Sequence, residues 1–530
     1  MFEPMSRPIR FERRSVPLFV WCLAAVLLGS VGHSPRALAE QANGKIDRKT
    51  DLGQDATLPP DTAQSAPQLP TGGGAEVVPA TPELGAGAGA PAPAPVAPAL
   101  STRLDDIDQT ARIAARRIEN LEEQLATKAK EAPSIQADDK AFAIKSGDAA
   151  YTLRFYALLQ ADSRWFINDG VLSDRADTFL IRRFRPGIGG TLFNFTDFRF
   201  SPDLAGGTAA VFDAYVDLHP FPELRLRVGK FKPPLGLERL QGDASLEFLE
   251  RALSQNLTPQ RDVGASLWGD IAGGIVRYDL GIFNGATDNT NPDIDSNHAK
   301  DFVGRLLIQP FKTEALKSYG SLGVHFAVST GNRLGTPTAT QLPTFRSGGQ
   351  QAIFSYLAPA NADGVAFAHH RETRINPAIF YYFGSLGFLA EYVQAHQQIQ
   401  KGNPITTLTN RAGHATLSYA FNALNSLEGA VPLTRFDPAK GTWGALEVAL
   451  RVNYLKISDA AFDFQLASET ASIRRAVAEA VALTWIPSLT TRLAVSYELT
   501  SFKGGAATPD KKVADRKTEH VIITRAQVNF

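Results

Sequence analysis

Cysteine is nearly missing from this chain of 530 residues: Cys22 is the only one, which excludes a disulfide framework and any cysteine-built zinc site. A charge excess is missing too, because 54 basic residues face 54 acidic ones, and this argues against nucleic acid as a partner. Mean hydropathy is -0.12, too low for a bundle of apolar helices that would each need ~20 residues to cross a bilayer. From residue 22 to residue 141 there is no Phe, Tyr or Trp, so that stretch cannot bury a conventional core.

What is present divides the chain into zones. Arg7, Arg10, Arg13 and Arg14 precede the apolar stretch Val16 to Val31, and Ala37-Leu38-Ala39 follows, the order of a secretory signal peptide over residues 1–39, so export from the cytoplasm is expected. Residues 40–100 are rich in Pro, Ala and Gly and read as a periplasmic linker. Over 101–131, Leu104, Ile107, Ala111, Ala114, Ile118, Leu121 and Leu125 recur at steps of three and four, the seam of a short coiled coil.

Residues 141–530 change to period two. Tyr151, Leu153, Phe155, Ala157 and Leu159 alternate with Thr152, Arg154, Tyr156 and Gln160; Phe212, Ala214, Val216 and Leu218 alternate with Asp213, Tyr215, Asp217 and His219. Many such runs approach ten residues, the length a tilted strand needs to cross a bilayer, and tight turns such as Gly384-Ser385 alternate with long polar links. The last run places Ile522, Thr524, Ala526, Val528 and Phe530 on one face, with Ile523, Arg525, Gln527 and Asn529 on the other. An all-β, transmembrane antiparallel barrel in a Gram-negative outer membrane is the expectation, in contact with outer-membrane lipid.

Several segments carry a more specific resemblance. Phe179-Leu-Ile-Arg-Arg-Phe-Arg-Pro-Gly-Ile-Gly-Gly, Asp213-Ala-Tyr-Val-Asp, Arg225-Leu-Arg-Val-Gly-Lys-Phe-Lys-Pro-Pro-Leu-Gly and Arg525-Ala-Gln-Val-Asn-Phe together resemble the phosphate-selective porins O and P. The resemblance implies 16 strands, a homotrimer, passive diffusion of small hydrophilic solutes with anion preference, and one loop folded into each pore.

Arginine offers paired donors to oxyanions and lysine a point charge, so the candidates for lining the pore and binding anions are the cations of the strands and of the expected inward loop. They are Arg154, Arg182, Arg183, Arg225 and Arg227, followed by Lys230, Lys232, Arg239, Arg251 and Arg261. Arg225 and Arg227 lie opposite Leu224, Leu226 and Val228, which assigns them to the lumen. Phosphate binders of the family place lysines in the loop, whereas this chain carries Asp243 and Glu247 there, and its barrel balances about 39 basic against 36 acidic residues. General anion passage and phosphate or polyphosphate selectivity therefore both stay open.

Other chemistry finds little support. Asp288 to Asn297 alternates oxygen donors but lacks the central Gly and distal Glu of a calcium loop. No Gly-x-Ser-x-Gly elbow supports a barrel enzyme, and neither a cofactor nor a metal is expected. The remaining alternative is an envelope tether whose periplasmic segment binds peptidoglycan or another partner.

Overall fold

The computed structural model describes residues 97–138, 142–167, 176–295, 297–358 and 364–530. The expected signal peptide and nearly all of the linker lie outside these residues. Helix α1, Ala97–Glu131, contains the expected heptads and starts four residues before them. Its Ala, Leu, Glu and Arg content favours helix, and Pro133 ends it by restricting the residue before it. Leu104 is 62% exposed and Ile118 56%, so the apolar seam is uncovered within the single chain.

Sixteen antiparallel strands form a closed barrel. They are β1 Thr152–Phe166, β2 Thr178–Leu192, β3 Thr196–Asp203, β4 Ala210–Phe221, β5 Leu224–Phe231, β6 Asp262–Ile271, β7 Val276–Phe283 and β8 Asp301–Ile308. The ring continues with β9 Ser321–Leu334, β10 Ala366–Phe383, β11 Leu386–Lys401, β12 Ile405–Phe421, β13 Ala445–Lys456, β14 Ile473–Ser488, β15 Thr491–Ala507 and β16 Glu519–Asn529. β16 pairs with β1 from Val521↔Phe166 to Asn529↔Leu158, and Phe530 exchanges two main-chain hydrogen bonds with Ala157, both 3.1 Å. A hairpin of Ser134–Ala137 and Phe142–Lys145 precedes β1 and pairs with its first four residues, Thr152 to Phe155.

Alternation sets the two faces. Leu224, Leu226 and Val228 are exposed on the outer wall, as are Leu446 and Val452, while Glu447, Arg451 and Asn453 are buried on the inner face. At the short-turn end, Tyr151, Phe193, Phe195, Phe421, Trp443 and Phe530 form an exposed aromatic band of the kind that sits at a membrane interface.

Two β-bulges change the simple parity. Gln160 pairs with Arg183 but Ala161 with Ile181, so Arg182 is the extra residue, and two adjacent arginines both turn inward. Ser201 pairs with Asp213 but Pro202 with Val211, which turns Phe212 inward. The expectation that Phe212 shares the outer face of Val216 is therefore wrong: it is 5% exposed, beneath the guanidiniums of Arg185 and Arg261 at 3.6 and 4.0 Å.

The lumen is partly solid. Phe345, Ile353 and Phe354 from the β9–β10 link and Phe462 and Leu466 from the β13–β14 link pack on inward side chains such as Val393, Leu408, Leu455 and Phe502. Leu253 and Leu257 of the β5–β6 link join the same cluster.

Candidate functional site

The 30 residues between β5 and β6 cross the lumen instead of leaving it. Inward polar side chains of distant strands hold them there. Asn376 on β10 accepts from Gly236 N at 2.9 Å, and the Glu391 carboxylate on β11 accepts from Leu237 N and Glu238 N at 2.9 and 3.0 Å. These two N–H groups open the single-turn helix α2, Leu237–Leu240, where intrahelical acceptors are lacking. Further along, Ser254 bonds His414 on β12 at 2.9 Å, and Arg451 on β13 donates to Glu250 O at 2.9 Å. Gln160 on β1 and Gln527 on β16 donate to Asp243 O and Ala244 O at 3.0 and 2.9 Å.

This crossing brings five of the ten sequence-derived candidates together. A narrow cavity of about 50 Å³ on the long-loop side is lined by Arg182, Arg183, Arg239, Arg251, Arg261 and Arg346. The acidic residues lining it are Asp243 and Glu250. Arg182 clasps Glu250 through two bonds of 2.6 and 3.0 Å, and Arg164 reaches the same carboxylate at 2.8 Å. Asp243 is gripped by Arg185 and by Arg251 at 2.8 Å, with Arg183 at 3.7 Å. Those arginines hold the Asp243 carboxyl well below the usual carboxylate range despite its burial. Asp243 thus ties the loop to the wall and remains outnumbered by cations, which changes the meaning of an acidic residue in this loop.

Glu247 behaves otherwise. Burial and the facing Glu447 carboxylate push it up to about 7, while Tyr382 and Ser418 donate to it at 3.2 and 3.1 Å.

The remaining candidates are placed as follows. Arg225 and Arg227 lie on the inner face of β5, where both bond Asp217, at 3.1 and 2.6 Å, and Arg225 also reaches Asp197 at 3.1 Å. Lys230 bonds Asp293, and Arg261 bonds Asp213 at 3.2 Å. Arg154 has inward parity but is exposed at the short-turn end of β1, away from the crossing loop. Lys232 donates to the main-chain oxygens of Gln241 and Leu240 at 2.6 and 3.4 Å. Arg239 donates to Gln255 O at 2.7 Å and to the Thr258 hydroxyl at 3.3 Å. Among the described residues neither Lys232 nor Arg239 forms an ion pair; each is held by main-chain or hydroxyl oxygens instead.

Sequence reasoning missed Arg164, Arg185, Arg346, Arg451 and Arg525. The last of these grips Asp162 through bonds of 2.7 and 2.8 Å across the β16–β1 seam. Inward parity alone identifies Arg451 and Arg525, whereas Arg185 requires knowledge of the bulge.

No curated protein matches the chain. Among solved structures, the anion-selective porin from Comamonas acidovorans is similar over 72% of this chain and 100% of its own, at 10% identity and a TM-score of 0.44. The outer-membrane channel DcaP of Acinetobacter baumannii is similar over 73% and 99%, at 11% identity and 0.43. The trimer form of the outer-membrane protein OmpT of Vibrio cholerae is similar over 72% and 100%, at 11% and 0.43. The family described as Phosphate-selective porin O and P matches residues 155–530, from within β1 to Phe530, and the chain therefore belongs to that family, as an outer-membrane β-barrel porin.

Proposed function

We propose that this porin passes small hydrophilic anions, without catalysis, through the cleft between its inward loop and the arginine-bearing wall of β1, β2 and β5. The observation that carries this reading is the constriction lining, six arginines against two carboxylates. In a narrow aqueous path between low-dielectric walls such an excess lowers the energy of an anion and raises that of a cation. Lys232 and Arg239 add to it, since each bonds main-chain oxygens and neither is clasped by a carboxylate. The lining suits chloride, phosphate and small carboxylates alike, so selectivity by charge is the reading, with phosphate one substrate among several. Reversal potentials of purified protein in a planar bilayer, in chloride and then in phosphate, test it; zero-current potentials of the cation-selective sign would overturn it.

A homotrimer completes the proposal. β3, β5, β7 and β8 have eight residues each, against 18, 16 and 17 for β10, β11 and β12. Eight residues tilted by ~45° rise only about 19 Å, short of the ~25 Å apolar band, so covering that low wall with neighbouring copies spares it a lipid mismatch. The uncovered seam of α1 suits the same assembly as a coiled coil. A tether to peptidoglycan or another envelope partner is the second reading of α1. Deleting residues 40–131 separates the two: loss of oligomer stability favours the first, loss of envelope integrity alone favours the second.

A further inference from the structure

On the short-turn side of the inward loop the lumen widens into a chamber of about 700 Å³. One part of its lining is basic: Arg227 on β5, Arg277 on β7, Arg305 on β8, and Lys312 and Lys317 on the β8–β9 link. Another part is apolar, built from Leu240 of the inward loop, Leu307 of β8, Phe311 of the β8–β9 link and Leu427. Leu427 belongs to the β12–β13 link, a long connection that folds inward from the short-turn end. It packs against Leu237, Leu307 and Phe380, and its carbonyl accepts from Gln241 Nε2 at 2.8 Å.

With Lys232, six cations line the chamber against Asp279 and Glu428. Some of that charge is spent internally: Arg305 bonds Asp279 at 2.8 Å and Arg277 bonds Asp270 at 2.7 Å. Lys312 forms no ion pair among the described residues. Arg225, Arg227 and Arg277 lie over the Trp268 ring at 4.2, 5.1 and 4.9 Å, which holds the guanidiniums in fixed directions.

A water-filled passage for inorganic ions needs the cations but gains nothing from a leucine and phenylalanine surface. A neutral apolar solute would cover that surface while stripping water from the cations beside it. A solute with an anionic head and a compact apolar body uses both, and the chamber falls within the ~300–1,000 Å³ typical of small-molecule sites. We propose that this chamber is a binding site for cyclic organic carboxylates, benzoate being the simplest, with the carboxylate toward Lys312 and Arg305 and the ring toward Leu240, Phe311 and Leu427. This deepens the anion reading above and rests on it. Binding is weak by necessity, since a conducting site must also release its ion.

The test uses the full-length protein in planar bilayers at low ionic strength, with benzoate, acetate or inorganic phosphate added on the short-turn side of a chloride current. Benzoate is expected to halve the current at about one-tenth the concentration of acetate, from the extra apolar area covered. Phe311→Ser and Leu427→Ser, made separately, are each expected to raise the half-blocking benzoate concentration several-fold while leaving acetate block and the chloride reversal potential unchanged. Phe311 is half-buried on a link outside the barrel wall, so its replacement leaves assembly intact even if Leu427→Ser does not assemble. Equal half-blocking concentrations for benzoate and acetate, or unchanged benzoate block in Phe311→Ser, would overturn the proposal. A cation-selective reversal potential would instead overturn the anion reading beneath it.

Discussion

Removing the two cations of the inward loop that no carboxylate clasps, Lys232 and Arg239, gives the sharpest test of charge selectivity. Replacing Arg225 and Arg227 is less informative, because it would leave Asp217, which is fully buried, with only the Trp268 indole donating to it at 3.1 Å among the described residues. Lys232→Gln with Arg239→Gln leaves no carboxylate orphaned, and glutamine can still donate to the carbonyls of Gln241 and Gln255. For an ion passing about 8 Å from each charge, Coulomb energy in water is roughly 0.5 kcal/mol, reduced to about 0.2 by a Debye length of ~10 Å at 0.1 M. Two charges acting oppositely on anion and cation then change their permeability ratio roughly fivefold, a lower estimate because low-dielectric walls strengthen the field. At 1 M the Debye length is ~3 Å and the same arithmetic leaves a change of only about 1.3-fold. Reversal potentials under a potassium chloride gradient measure both values. An unchanged ratio at 0.1 M in an assembled variant, or an equal change at 1 M, would refute the electrostatic account.

Other expectations follow from particular contacts. Glu247 is raised from its usual value near 4.5 to about 7, so its contribution to stability is fully present below pH 4.5 and is lost as pH rises to about 7. Glu247→Gln should raise the melting temperature at pH 8 and alter it little at pH 4, and an equal effect at both would contradict the assignment. Lys232 is pulled well below the ordinary lysine range by burial and by Arg261 and Arg251. Anion preference should therefore weaken at a lower pH than an ordinary lysine would give, and reversal potentials of Lys232→Gln should lack that step. Gly229 has φ +130, and a Cβ there would sit 2.2 Å from Ala214 O, so Gly229→Ala should reduce the yield of heat-modifiable barrel on gels. Ile118→Asp with Leu121→Asp should lower the oligomer's dissociation temperature without abolishing conductance; an unchanged oligomer would assign the α1 seam to another partner.

The wall of this barrel was readable because lipid and water enforce opposite chemistry on successive residues, as in Leu224 to Val228 and Ile522 to Phe530. Where parity slips, so does the reading: one extra residue on β2 turns Arg182 and Arg183 inward together and hides the role of Arg185. Another on β4 buries Phe212 under two guanidiniums. The candidate site was legible as a collection of cations and not as a set of pairs. Asp243 reads as a charge hostile to anions until its three arginines are seen, and Lys230 reads as free until Asp293 arrives from a link more than 60 residues away. Such pairings depend on where long loops fold, which no local periodicity encodes.

The packed cluster around Phe345, Phe354, Tyr356 and Phe462 separates two dimensions that a hollow cylinder would link. Strand number sets the circumference of the wall, but here the open cross-section is what the infolded links leave unfilled. Calibre and charge of the passage can therefore drift through substitutions and length changes in those links, with every strand register and the lipid-facing surface untouched. A barrel of this kind offers evolution an inexpensive dial: the membrane sees a constant exterior while the solute meets an interior that is rewritten loop by loop.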